Sequence, residues 1–199
     1  TIGPRNTLFD KLKLPDSLTS LTIGGNNGLL YELILPDSLT SLTIGNKNGI
    51  PDDFLLPTSL KSLTIGINTI IPNNLDSLTS LESLTIGDSN TIPDNLNSLI
   101  SLKSLTFGDF IKIPENLDLV ISLKSLTIGE YNTIPDNFNL PTSLESLKIG
   151  SYTHIPELNN FKSLKSLKSL TISYNDVKKN NYISYINENI SLESLTINK

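Results

Sequence analysis

The chain has 199 residues, contains no cysteine, methionine or tryptophan, and carries a formal net charge of −5. The lack of cysteine excludes disulfides, thiolate metal sites and a cysteine nucleophile. The dispersed acidic balance opposes nucleic-acid binding, which needs a concentrated basic face, and no apolar run reaches the roughly 18 residues of a membrane span.

The chain opens on Thr1, Ile2, Gly3, which returns as Thr22, Ile23, Gly24 at a distance of 21. From Ser17 to Gly24 it reads Ser-Leu-Thr-Ser-Leu-Thr-Ile-Gly, and that phrase recurs to the end. Its first leucine falls at Leu18, Leu39, Leu60, Leu81, Leu102, Leu123, Leu144, Leu167 and Leu192, giving six steps of 21 residues, then one of 23 and one of 25. Inside the phrase the apolar spacing of Leu39, Leu42 and Ile44 ends in strand-like alternation. One short strand per repeat is predicted. Such a strand cannot hide its apolar face alone, and a constant return brings the next one alongside in parallel. The predicted fold is therefore a right-handed solenoid with a single parallel β-sheet.

After each strand phrase comes a glycine turn, at Gly24, Gly45, Gly66, Gly87, Gly108, Gly129 and Gly150. A second apolar column follows at Leu8, Leu29, Ile50, Ile71, Ile92, Ile113, Ile134 and Ile155, with proline after it from Pro51 to Pro156. A third runs through Leu12, Leu33, Phe54, Leu75, Leu96, Leu117 and Phe138. Between these columns the Pro- and Asn-rich filler is too broken for α-helix, so extended and 3₁₀ segments are expected on the convex side.

These residues resemble the leucine-rich repeat family. The match lies in the Leu-x-x-Leu-x-Ile phrase, the Ile-Pro-x-x-Leu segments such as Ile92 to Leu96, and asparagines near the strand exit at Asn26, Asn68, Asn90, Asn132 and Asn175. The wording LPDSLTSLTIG at 14–24 and 35–45, with LPTSLKSLTIG at 56–66, is similar to the FNIP repeats of amoebae and their giant viruses. The resemblance implies a leucine-rich-repeat superhelix and a binding role. In that family an exit Asn ladder satisfies turn backbone groups; here Asn wanders between two adjacent columns and gives way to Phe110, Tyr131 and Tyr152. One continuous ladder is accordingly not expected.

Residues 1–199 are expected to form one solenoid domain, a fragment of a longer array or one lacking its caps, since the chain starts partway through a strand phrase and ends on one. Segments 157–168 and 174–190 depart from the period, and Ile183, Ile186 and Ile190 stand at helical spacing, which predicts a short helix over 181–190.

Two surfaces are candidates for binding. On the concave face, Ser recurs at 20, 41, 62, 83, 104, 125, 146, 169 and 194, beside Thr22, Thr43, Thr64, Thr85, Thr106 and Thr127, with Lys148 as the exception in the Thr column. Strand propensity and recent duplication explain such uniformity, and a periodic ligand would be the alternative. A more varied column, Thr19, Thr40, Lys61, Glu82, Lys103, Lys124, Glu145, Lys168 and Glu193, reads as charge-balanced pairs that a protein partner would touch first. At the strand exit, Asp88, Asp109 and Glu130 form an acidic row and Phe110, Tyr131 and Tyr152 an aromatic one. The acids read as a solvated edge rather than a calcium site, and the aromatics as a stack that could also serve as a platform.

Catalysis has little to stand on: His154 is the sole histidine, and the serines belong to a structural period. No metal or cofactor is expected. Asn189, Ile190 and Ser191 form a glycosylation sequon that matters only in a secreted protein. The expected function is a non-enzymatic scaffold for protein–protein contact through the concave sheet and the exit edge. The alternative is a repetitive structural role, by self-association through open ends or adsorption to an ice or glycan surface.

Overall fold

The computed structural model describes residues 1–5, 12–28, 30, 33–51, 54–72, 74–93, 96–115, 117, 120–136, 138–153, 163–173, 186 and 191–198. Each strand phrase forms a strand: β1 (Ser20–Ile23), β2 (Ser41–Ile44), β3 (Ser62–Ile65), β4 (Ser83–Ile86), β5 (Ser104–Phe107), β6 (Ser125–Ile128), β7 (Ser146–Ile149), β8 (Ser169–Ser173) and β9 (Ser194–Asn198). They pair in sequence order into one parallel sheet. The period sets the register, so Ser20, Ser41 and Ser62 stand side by side, as do Thr22, Thr43 and Thr64. Ile2 bridges Ile23 ahead of β1.

Alternation then sorts the side chains. Leu42 and Ile44 are buried while Ser41 and Thr43 face outward, and the same pattern recurs through β6. The inward leucines stack with the second column at Ile50, Ile71, Ile92, Ile113 and Ile134, and with the third at Leu33, Phe54, Leu75, Leu96, Leu117 and Phe138, as one continuous core. Leu12 departs from its column and is exposed. Leu8, Leu29 and Ile155 lie outside the described residues, as does the helix expected over 181–190 apart from Ile186, which is helical and packs on the core.

The convex side comes in two versions, decided by one residue. Where the chain carries Pro36, Pro57 or Pro141 it runs extended, because proline has no N–H to close a turn. Where Leu78, Leu99 or Val120 stands at that position, its N–H donates to the carbonyl three residues back, of Leu75, Leu96 or Leu117, at 3.0–3.1 Å. Short 3₁₀ helices result at Leu75–Ser77 and Leu96–Ser98.

Both ends of each strand are tied to the neighbouring repeat. At the start, one carbonyl accepts two successive N–H groups: Thr40 takes those of Lys61 and Ser62, and Lys61 those of Glu82 and Ser83. This bulge-like kink lies immediately before each strand and falls on the charged column. The first serine of the phrase is also structural, since the hydroxyls of Ser38, Ser59, Ser122 and Ser143 donate to the preceding repeat's leucine carbonyl at 2.7–2.8 Å.

The glycine at the strand exit is required by space, not by backbone angle. No glycine has a positive φ. A Cβ on Gly66 would lie 2.5 Å from the carbonyl carbon of Gly45 and 2.6 Å from the Asn46 nitrogen, so a side chain would strike the previous repeat.

Candidate functional site

Three adjacent columns leave each glycine, and each does a different job. In the first, Asn46 accepts the Ile67 N–H at 2.9 Å through Oδ1; Asp88 does the same for Asp109 at 3.0 Å, and Asp109 for Glu130 at 2.7 Å. Two of the three acids therefore help to hold successive repeats together. Among the described residues no group of three His, Asp or Glu side chains is placed to hold a metal ion.

The second column turns the backbone into the left-handed region, with φ of 50–58° at Arg5, Asn26, Lys47, Asn68, Ser89, Phe110, Tyr131 and Tyr152. Side chains resist this region, asparagine least. It lets each N–H reach the carbonyl of the following repeat, as Asn68 does at Asp88 (3.1 Å) and Phe110 at Glu130 (3.1 Å). Identical backbone angles also make the side chains parallel. Phe110 and Tyr131 stack with ring centres 5.0 Å apart and planes 2° apart, and Tyr131 and Tyr152 at 4.9 Å and 3°. The three rings remain 61%, 47% and 68% exposed.

The third column is buried: Asn27, Asn48, Thr69, Asn90, Ile111, Asn132 and Thr153. Here lies the ladder that the sequence obscured. Asn48 Oδ1 accepts the Asn27 N–H at 2.8 Å, Asn90 Oδ1 that of Thr69 at 2.8 Å, and Asn132 Oδ1 that of Ile111 at 2.6 Å. The Asn90 amide donates to the carbonyls of Gly66 and Gly87, both at 2.8 Å. Thr69 and Thr153 serve the same purpose with a hydroxyl. Among the described residues the ladder breaks once, at Ile111, which offers no acceptor to the Asn90 N–H. Asn26 and Asn68 belong to the left-handed column, and Asn175 lies outside the described residues.

At the other end of the strands, roughly 13 Å away for a four-residue strand, Glu145 pairs with both lysines that flank it in the charged column and Glu82 with one of its two, Lys103 and not Lys61. Lys103 meets Glu82 at 2.6 Å; Glu145 meets Lys124 at 3.2 Å and Lys168 at 3.4 Å. The hydrogen bond from Lys103 holds the Glu82 carboxyl below its ordinary range, and those from Lys124 and then Lys168 do the same for Glu145. Lys148 replaces threonine between Thr127 and Thr171 and is exposed on the open face. The expected residues thus form two patches, one at each end of the strands, with the Ser and Thr columns between them.

Ile100 and Ile121 were not among the expected site residues. They occupy a turn position that carries Asp16, Asp37, Thr58, Thr79 and Thr142 elsewhere, and are 66% and 79% exposed. An apolar residue where most other repeats have a polar one, Ile190 being the further exception, was the available signal. Ile100 lines an open depression with Lys61, Lys103 and Lys124. His154 and the residues Asn189 and Ile190 lie outside the described residues, and no helix among those described is long and apolar enough to cross a membrane.

The FNIP repeat family model matches residues 6–47. The chain's Phe-Asn-x-Pro string, Phe138 to Pro141, falls outside that match, ahead of β7. In structure the chain is similar to a leucine-rich-repeat protein of Leptospira interrogans, with a TM-score of 0.62 and 24% identity over 97% of this chain and 54% of that one. It is also similar to CroV588, described as a novel circular leucine-rich-repeat structure, with a TM-score of 0.54 and 32% identity over 81% of this chain and 28% of that one. The chain thus spans about half the length of the first and under a third of the second. No curated protein matches it in sequence. Proteins of this fold commonly mediate protein–protein contact and are typically non-enzymatic. The polar ladder, the one-sheet solenoid and these similarities show the leucine-rich-repeat fold, with FNIP repeat wording over residues 6–47.

Proposed function

We propose that the chain is a non-enzymatic scaffold that binds a protein partner through the open face of its sheet and its strand-exit edge. The observation that carries this reading is the exposed stack of Phe110, Tyr131 and Tyr152. Large aromatic side chains kept in water on a left-handed backbone serve no core, and such residues are the usual anchors of interfaces. Lys61, Lys103, Lys124 and Lys148 add exposed ammonium groups on the open face, Lys103 and Lys124 paired with Glu82 and Glu145, beside the floor made by Thr22, Thr43, Thr64, Thr85, Thr106 and Thr127.

The test is calorimetric binding of a partner obtained by cross-linking from the native source, against two variants. One reverses the charge of Lys61, Lys103, Lys124 and Lys148; the other replaces Phe110, Tyr131 and Tyr152 with alanine. Each is expected to weaken binding at least about fivefold. Binding unchanged by the first removes the open face from the reading, and binding unchanged by both removes the reading itself.

A second reading rests on the unbroken Thr column from β1 to β6, whose hydroxyls repeat about 4.8 Å apart. It would suit adsorption to a regular surface such as ice. An ice-recrystallisation assay on the parent protein decides it, with no activity ending the idea.

A further inference from the structure

The aromatic stack stops abruptly. Tyr152, Tyr131 and Phe110 follow one another up the left-handed column, and the next position is Ser89, with the same backbone angle (φ 57° at both Ser89 and Phe110). A ring at position 89 would continue the stack, but serine leaves the space beside the outer face of Phe110 open. That space is one end of an open depression of about 960 Å³ lined by Ser89, Thr91, Ile92, Phe110, Lys112 and Pro114. The depression lies at the junction of β4 and β5, where the buried ladder also breaks. Its exit-side bonding ends with the Ser89 N–H to the Asp109 carbonyl, and the Asn90 N–H has no acceptor among the described residues. One junction later, Lys112 bridges Thr133 and Ile113 donates to Thr133, closing the equivalent gap.

We infer that this gap is a binding slot for one aromatic side chain of a protein partner, which inserts beside Ser89 as the fourth ring of the stack. The inference rests on the reading of the exit edge as a binding surface. Phe110 supplies a flat, exposed, pre-oriented face, and its other face is already occupied by Tyr131, so it neither needs nor makes a rearrangement to accept a ring. The ordered backbone on either side fixes the spacing at which the incoming ring sits. The depression is larger than one ring, leaving room for the segment that carries it. Lys112 and Thr91, both exposed at its rim, can pair with that segment's backbone carbonyls.

The probe is N-acetyl-tyrosinamide, added to isotope-labelled protein and followed by amide chemical shifts. Saturable shifts are expected at Ser89, Thr91 and Lys112, with millimolar affinity. Ser89→Phe, whose ring would fill the slot on a backbone that already holds phenylalanine one repeat away, is expected to weaken binding at least tenfold while leaving the circular dichroism spectrum unchanged. Phe110→Ala, which removes the wall and adds nothing, is expected to do the same. Shifts that are absent, that persist in both variants, or that glucose reproduces equally well would overturn the inference, the last by making this a sugar site. A negative result here leaves the partner-binding test of the exit edge and open face standing, because that test is read on a different ligand and different variants.

Discussion

Asn90→Leu should be among the most damaging single substitutions on the polar ladder, and more costly than the same change at Asn48. Both asparagines are buried and both make three side-chain hydrogen bonds. They differ in what is left behind. With Asn48 gone, the Gly24 carbonyl still has the amide of Asn27 and the Gly45 carbonyl still has the hydroxyl of Thr69, so of the three bonds only that from the Asn27 N–H goes unreplaced. With Asn90 gone, the Thr69 N–H and the carbonyls of Gly66 and Gly87 all lose their sole partner among the described residues, because the Thr69 hydroxyl turns to Gly45 and Ile67 and Ile111 has nothing to offer Gly87. A stranded buried donor or acceptor costs about 1–3 kcal/mol. The expectation is about 2 kcal/mol for Asn48→Leu and about 4 kcal/mol for Asn90→Leu. Asn90→Thr, which keeps an acceptor as Thr69 and Thr153 do, should fall below both. Urea unfolding followed by circular dichroism measures this as a midpoint shift at constant slope. Equal costs for the two leucine variants, within about 0.5 kcal/mol, would refute the argument from redundant partners.

The break in the ladder gives a paired test: Ile111→Thr places a hydroxyl where the Asn90 N–H lacks an acceptor among the described residues and the Gly87 carbonyl can take a second donor, so it should cost under about 1 kcal/mol, whereas Ile113→Thr, with no such partner, should cost about 2 kcal/mol or more. Gly66→Ala drives a Cβ into the previous turn and should cost about 1–3 kcal/mol, while Gly28→Ala, with nothing within 4 Å, should change the melting temperature little. Carboxyl titration by NMR should find Glu82 and Glu145 below the ordinary carboxylate range, and Lys103→Ala should return Glu82 towards it. Since both carboxyls are lowered by folding, their pairs contribute stability above the unfolded-state value and lose it as pH falls through the lowered one. An unshifted Glu82 in the parent protein would show that the pair does not persist in water.

The strands, their order and their register were legible because a constant 21-residue return admits little else, and each expected Leu and Thr column is a column in space. The Glu82 and Glu145 pairings were legible for the same reason. The exit turn was harder, since three successive residues there look alike in sequence: Asn26, Asn46 and Asn48 are the same amino acid in three different columns, one on a left-handed backbone, one capping the neighbouring turn and one buried. Only the strict spacing from Asn27 to Asn48, and on through Thr69 to Asn90, separates them, and Thr and Ile within that column hid it. The glycines were legible as necessary but not for the reason a turn suggests, because the approach of the previous repeat is not written in any local pattern. Asp88 and Asp109 looked solvated, and their bonds to the next repeat's N–H groups depend on a backbone path that sequence does not reveal.

The missing rung at Ile111 makes the molecule uneven along its length. β4 and β5 remain fully paired on the sheet, but on the exit side their turns are joined by fewer links than those on either hand, as two pages are held at the spine and free at the outer margin. A pull along the array, or a change in its curvature, would be taken up at that margin first. The break would then divide the solenoid into two blocks that swell and exchange amide protons independently before either one comes apart.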